Sequence, residues 1–206
     1  MKKSLFFVLA LAITLFSSFV KAENGTFSYD LGGGTNVKIS AVENAKAVVV
    51  SLSNSTKEEV TISLEGENGT LITDNAKGKP SFSKKYILAD LEPGQYRVVV
   101  KKKAIKTIQP FELTKNSVVL FESERKEKFL PSLSQKGFKI DVNVLLGNYS
   151  NIKVIIYDNE GRNVYNDINY VTLTLNKRYD LSQLGRGAYV IEVVAGDETQ
   201  YFPIQL

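Results

Sequence analysis

Leu91-Glu92-Pro93-Gly94-Gln95-Tyr96 and Leu184-Gly185-Arg186-Gly187-Ala188-Tyr189 share one pattern, Leu-x-x-Gly-x-Tyr, 93 positions apart. The pattern has a mechanical reading. A glycine lets the chain turn at positive φ without steric cost. A tyrosine two residues later opens a strand. Its ring then fills the end of a β-sandwich while its hydroxyl bonds back to the corner backbone, as in the tyrosine corner of Greek-key sandwiches. Leu91 and Leu184 anchor the incoming chain, Gly94 and Gly187 turn it, and Tyr96 and Tyr189 start an inward-facing alternation. Both tyrosines are expected to be largely buried.

The repeat extends outward from this element at an offset of 92 to 93 positions. Val60-Thr61-Ile62-Ser63-Leu64 matches Ile152-Lys153-Val154-Ile155-Ile156, and each is followed by an acidic turn. Tyr86-Ile87-Leu88 pairs with Tyr179-Asp180-Leu181, and Pro110-Phe111-Glu112-Leu113 with Pro203-Ile204-Gln205-Leu206. The starts align more weakly: Val48 and Val50 with Ile140 and Val142, and Phe27 and Tyr29 with Val119 and Phe121. A unit of this length is a duplicated domain, since solenoid units run about 20 to 50 residues.

Within each copy the period is two. Tyr96, Val98 and Val100 alternate with Arg97, Val99 and Lys101, and Ile140, Val142 and Val144 with Lys139, Asp141 and Asn143. Short alternating runs mark half-buried strands. No helical period is sustained. Glu122 to Lys128 has the residues for a helical turn, but its position suits a solvated loop. The predicted fold is all-β: two tandem immunoglobulin-like (fibronectin III-like) sandwiches, residues 23–115 and 116–206, behind a segment of residues 1–22.

That first segment, MKKSLFFVLALAITLFSSFVKA, has a basic start at Lys2 and Lys3, an apolar run from Leu5 to Phe16 and a cut expected after Ala22. This is the layout of a secretory signal peptide. The run is short for a bilayer span of about 20 residues, and no later stretch is long and apolar enough to span as a helix. The protein is expected to be exported, to the periplasm, the cell surface or the medium.

Composition excludes much chemistry. The net charge of +4 comes from 26 basic and 22 acidic residues. Without Lys2, Lys3 and Lys21 the balance is 23 against 22, a net of +1. That is no basis for nucleic-acid binding. There is no Cys and no His. Disulfides, thiolate metal sites and Ser-His-Asp or Cys-His catalysis are therefore excluded. No catalytic, cofactor or metal residues are assigned.

The second copy resembles the C-terminal sorting domains of type IX secretion cargo. Their usual pattern is a Val/Ile-rich strand, Tyr-Asp-x-x-Gly-Arg, then Leu-Ser-x-Leu-x-x-Gly-x-Tyr. Here it reads Val154-Ile155-Ile156-Tyr157-Asp158-Asn159-Glu160-Gly161-Arg162, then Leu181-Ser182-Gln183-Leu184-Gly185-Arg186-Gly187-Ala188-Tyr189. The resemblance covers about residues 138–206 and implies a secreted cargo that meets secretion machinery. Because Leu-x-x-Gly-x-Tyr also occurs in the first copy, part of the pattern is a signature of the fold.

Other candidates have plainer readings beside the functional ones. The acidic turns Glu65 to Gly69 and Asp158 to Gly161 offer oxygen ligands for calcium, yet Asn-Gly and Glu-Gly are what hairpin turns require. Gly32-Gly33-Gly34 lacks the Gly-Lys-Ser/Thr of a phosphate cradle and reads as a flexible loop. Lys101-Lys102-Lys103 with Lys106 is the densest basic cluster, suited to an anionic surface or, more plainly, to capping a strand end or blunting a sheet edge. Tyr149, Tyr157, Tyr165, Tyr170 and Tyr201 are candidate sugar-binding aromatics, with core or strand positions as the plainer reading. The function expected is a non-enzymatic binding or structural module of the cell envelope with a protein or glycan partner. The alternative is a type IX cargo carrying a sorting signal. A carboxylate-dependent glycoside hydrolase is a remote third.

Overall fold

The computed structural model describes residues 25–56, 58–145, 151–170 and 174–206. The signal-peptide segment 1–22 and Tyr149 lie outside them. Among the described residues the regular structure is strand, apart from one 3-10 turn at Glu122–Glu124. No helix among them is long and apolar enough to cross a membrane.

The first core lies between two antiparallel sheets. One contains β1 (Thr26–Asp30), β2 (Thr35–Ala41), β3 (Ala47–Asn54) and β6 (Ser81–Ile87), in that order. The other has the order β10-β8-β7-β4-β5. Its strands are β4 (Val60–Gly66), β5 (Gly69–Asn75), β7 (Gly94–Lys102), β8 (Ile105–Leu113) and β10 (Lys126–Phe129), and β9 (Val118–Leu120) pairs with β8. Val48, Val50, Ile62, Leu64, Val100 and Phe111 meet in this core, and none is more than 2% exposed.

A second core lies between β11-β12-β15 and β14-β13-β16-β17. These are β11 (Ser132–Lys136), β12 (Lys139–Leu145), β13 (Asn151–Tyr157), β14 (Asn163–Tyr170), β15 (Thr174–Asp180), β16 (Ala188–Ala195) and β17 (Glu198–Gln205). Ile140, Val142, Val154, Ile156, Ile191 and Val193 form its centre.

The pairings recur at the offset read from the sequence. Val48 faces Tyr86 and Ile140 faces Tyr179; Tyr96 faces Phe111 and Tyr189 faces Ile204. Even the bulge recurs, at Leu64/Glu65 and Ile156/Tyr157. Register is held this strictly because a slip by one residue turns every inward side chain outward.

Two expectations need correction. The boundary at residues 115/116 falls too early. β9 and β10 both pair with β8, and Val118 and Leu120 fill the first core. The sheets change hands only between Phe129 and Ser132. The alignment of Phe27 and Tyr29 with Val119 and Phe121 fails for the same reason. β1 is an edge strand on β2, whereas Val119 faces Glu112 in the opposite sheet. The apolar alternation was similar in both places, and alternation alone does not say which sheet a strand joins.

Candidate functional site

The two corners are built alike. The Tyr96 hydroxyl donates to the Glu92 carbonyl at 2.9 Å, and the Tyr189 hydroxyl donates to the Gly185 carbonyl at 2.9 Å. Leu91 and Leu184 pack at the margins of the two cores. Tyr96 stacks on Phe111 with ring centroids 5.8 Å apart. Both tyrosines are half-buried, not largely buried. Each bonds a carbonyl four residues back in an exposed turn, which holds the ring at the rim. Each corner borders a hollow. The one beside Tyr189 is about 440 Å³, lined by Gln135, Asp158, Asn159, Pro203 and Ile204 among others. The one beside Tyr96 is about 260 Å³.

The sorting-like residues Tyr157, Asp158, Gly161 and Arg162 form one self-contained turn between β13 and β14. Asp158 Oδ1 accepts from the Glu160 and Arg162 amides, each at 2.9 Å, and Oδ2 from Arg162 Nε at 2.7 Å. The Arg162 amide, then its side chain, holds the Asp158 carboxyl below its ordinary pKa. Gly161, at φ +77°, supplies the left-handed residue the turn needs. Leu181 is buried and its amide donates to the Phe138 carbonyl at 2.8 Å. The Ser182 amide donates to Asp180 Oδ1 at 3.0 Å. Each of these residues has a clear structural task. Both acidic turns close hairpins, Glu65 to Gly69 between β4 and β5 and Asp158 to Gly161 between β13 and β14.

Two lysines of the basic stretch, Lys102 and Lys103, pair within the first copy. The Lys102 side chain is 4% exposed. It donates to the Gly32 and Gly33 carbonyls at 2.8 and 3.3 Å and to Thr35 Oγ1 at 2.7 Å, and it pairs with Glu58 at 3.2 Å. Lys103 also pairs with Glu58, and its bond is the main reason that carboxyl sits below its ordinary range. Gly32, Gly33 and Gly34 all have positive φ, and the first two are pinned through their carbonyls by Lys102. A loop read as flexible is therefore anchored.

The candidate tyrosines among the described residues take the strand positions of the plainer reading, yet three of them remain exposed. Tyr165, Tyr170 and Tyr201 lie on strands, but they are 42%, 80% and 63% exposed. Tyr201 and half-buried Tyr157 each donate to one oxygen of Glu192, at 3.2 and 2.7 Å. A three-residue row thus crosses the outer face of β13, β16 and β17.

One feature went unread in the sequence. On β5 and β6, Asp74 Oδ2 accepts from Tyr86 at 2.9 Å and from Lys84 at 2.8 Å. On β14 and β15, Asp167 Oδ2 accepts from Tyr179 at 2.8 Å and from Lys177 at 2.7 Å. All three positions recur at an offset of 93. In each case the bonds join the edge of one sheet to the edge of the other. That shared offset in Asp, Lys and Tyr was the available signal.

Lys84 holds the Asp74 carboxyl below its ordinary range. At Asp167 burial opposes ionisation, and the bonds from Lys177, Tyr179 and Asn169 outweigh it, so its pKa is also lowered. Burial, reinforced by the aspartates, pushes both tyrosines up. A carboxylate with a lowered folded pKa stabilises above its unfolded pKa, about 3.9, and that contribution is lost as pH falls through the folded value. The melting temperature of the parent should therefore fall as pH drops below about 4. In D74N/D167N the melting temperature should be lower at neutral pH, with a shallower acid fall. Equal slopes would show the clusters to be inert.

These features define an all-β sandwich protein with ordered corners and tied carboxylates. Residues 131–203 match the sequence model described as the secretion system C-terminal sorting domain. The match begins where the sheets change hands and places the protein among exported chains. A solved biofilm associated protein, BSP domain, aligns at 14% identity and a TM-score of 0.25, covering 82% of this chain. This chain spans about 29% of that structure's length. No curated protein matches the chain.

Proposed function

We propose that this protein is a non-catalytic, exported module of the cell envelope. Its second copy serves as a type IX sorting unit, and its first copy is the structural or binding part carried with it. The match of residues 131–203 to the sorting domain carries this reading. The tandem reading rests on two cores whose strand pairings recur at one offset.

The non-catalytic reading is supported by what the carboxylates do. A glycoside hydrolase needs one acid with a raised pKa opposite a second carboxylate. Asp74, Asp141, Asp158 and Asp167 are held down by cations or amides from within the fold, so none of these four suits the raised-pKa acid. The first copy's partner is a protein or glycan of the envelope, to be sought by glycan-array and pull-down screens on the mature chain.

The test is export in a host with type IX machinery, comparing the full chain with a chain ended after Leu130. The full chain should appear outside the outer membrane. The shortened one should be retained in the periplasm, with at least a tenfold change in the ratio of outside to inside. Equal export of both would remove the sorting role.

A further inference from the structure

The hairpin tips that follow β7 and β16 are equivalent by the repeat, and their charges are opposite. The first tip runs Lys101-Lys102-Lys103-Ala104-Ile105-Lys106, and the second Val194-Ala195-Gly196-Asp197-Glu198-Thr199. The two meet. Lys106 Nζ lies 3.1 and 3.3 Å from the two carboxylate oxygens of Glu198. Lys128, on β10, reaches Asp197 Oδ2 at 2.5 Å and Glu198 Oε1 at 3.2 Å. Lys101 donates to Gln200 Oε1 at 2.9 Å.

Glu198 is only 8% exposed. A carboxylate so covered is costly unless paired and hydrogen-bonded, and here two lysines from two strands serve it. Burial pulls the Lys128 pKa down, but Asp197 and Glu198 more than offset this and leave it raised. The connecting chain is held too. β10 pairs with β8 through four register positions, and the Leu130 amide donates to the Ala104 carbonyl at 2.6 Å. Leu130 is 3% exposed, yet it belongs to neither core cluster.

We infer that the lysine surface of the first copy is a docking site for the acidic β16–β17 tip of the second, clamping the two copies into one body. The unit that matches the sorting domain is then no free tail. Its acidic tip is covered and becomes available to any other basic partner only when the clamp opens. The docking stands on geometry alone; only its bearing on export rests on the sorting reading.

The chain has no Cys, so a single pair of spin labels can be placed at Glu67→Cys and Asn159→Cys in the full mature chain. Electron–electron distance measurement should give one narrow distribution. E198K should broaden it severalfold, and so should K106E/K128E. Combining K106E/K128E with D197K/E198K, the full charge swap, should narrow it again. Near-normal melting of each variant's two cores would show that undocking, not unfolding, is read. A broad distribution in the parent, a narrow one in E198K, or failure of the charge swap to narrow it would overturn the clamp. Because no export is measured, failure here leaves the sorting reading standing, and failure of export leaves the clamp standing.

Discussion

Replacing Phe111 with alanine is expected to destabilise the first copy by about 3–5 kcal/mol, the usual cost of emptying a large buried aromatic site. Phe111 is fully buried on β8, directly opposite Tyr96, and the two rings stack 5.8 Å apart. The loss has two parts. The ring's own burial disappears, and Tyr96 loses the surface it rests on. An ordinary domain is stable by about 5–15 kcal/mol, so this change alone can bring it near unfolding. Tyr96→Phe is the internal control. It keeps the ring and removes only the bond to the Glu92 carbonyl, so about 1 kcal/mol is expected. Denaturant titration of the full chain, followed by amide exchange in each copy, separates the two. The change should fall on the first copy while the second core keeps its protection. If Phe111→Ala costs no more than Tyr96→Phe, the ring stack carries no stability and the corner stands on its hydrogen bond alone.

The contrast between these residues shows why some of the structure was legible in advance. The strands, the repeat and the corner hydrogen bonds follow from local signals, alternation and a tyrosine at fixed spacing, but not from a positive φ at Gly94 or Gly187, which neither glycine adopts. The depth of Tyr96 and Tyr189 did not, because the rim position depends on which carbonyl accepts the hydroxyl. The boundary was missed because β9 and β10 continue the first copy's β8-containing sheet in what reads as the second copy's share of the chain. Val118 and Leu120 look like the start of a new domain, and only their pairing with β8 assigns them to the old one. The recurring offset of Asp, Lys and Tyr was visible, but their pairing, like that of the lysine clamp, was out of reach for a related reason. Both join side chains across sheets or copies, and Lys106 lies 92 positions from Glu198. Charge counts showed that these residues existed, but their pairing is a property of the assembled sandwiches.

Lys102 is where that difference matters most, since a residue read as one member of a surface cluster proves to be interior. Lys102→Met keeps the length of the side chain and removes its donors. The Gly32 carbonyl and the fully buried Thr35 hydroxyl then lose a charged partner. Bonds to charged groups contribute about 1.5–3 kcal/mol each, and groups left unpaired add desolvation, so a loss of about 3 kcal/mol is expected. The damage should be local first. Thr35 donates to Asn54 Oδ1 at 2.9 Å, and Asn54 donates to the Glu58 carbonyl at 2.6 Å, so one lysine braces β2, β3 and the approach to β4. The glycine loop it pins has three left-handed residues in a row. Glycine loses more chain entropy on ordering than any other residue, so this loop depends on its anchor. Amide exchange should show the Leu31 and Thr35 amides, bonded to the Thr35 and Gly32 carbonyls, losing at least tenfold protection in K102M before the β-sheets do. If K102M melts with the parent and those two amides keep their protection, the loop holds its own shape and Lys102 is a bystander to it.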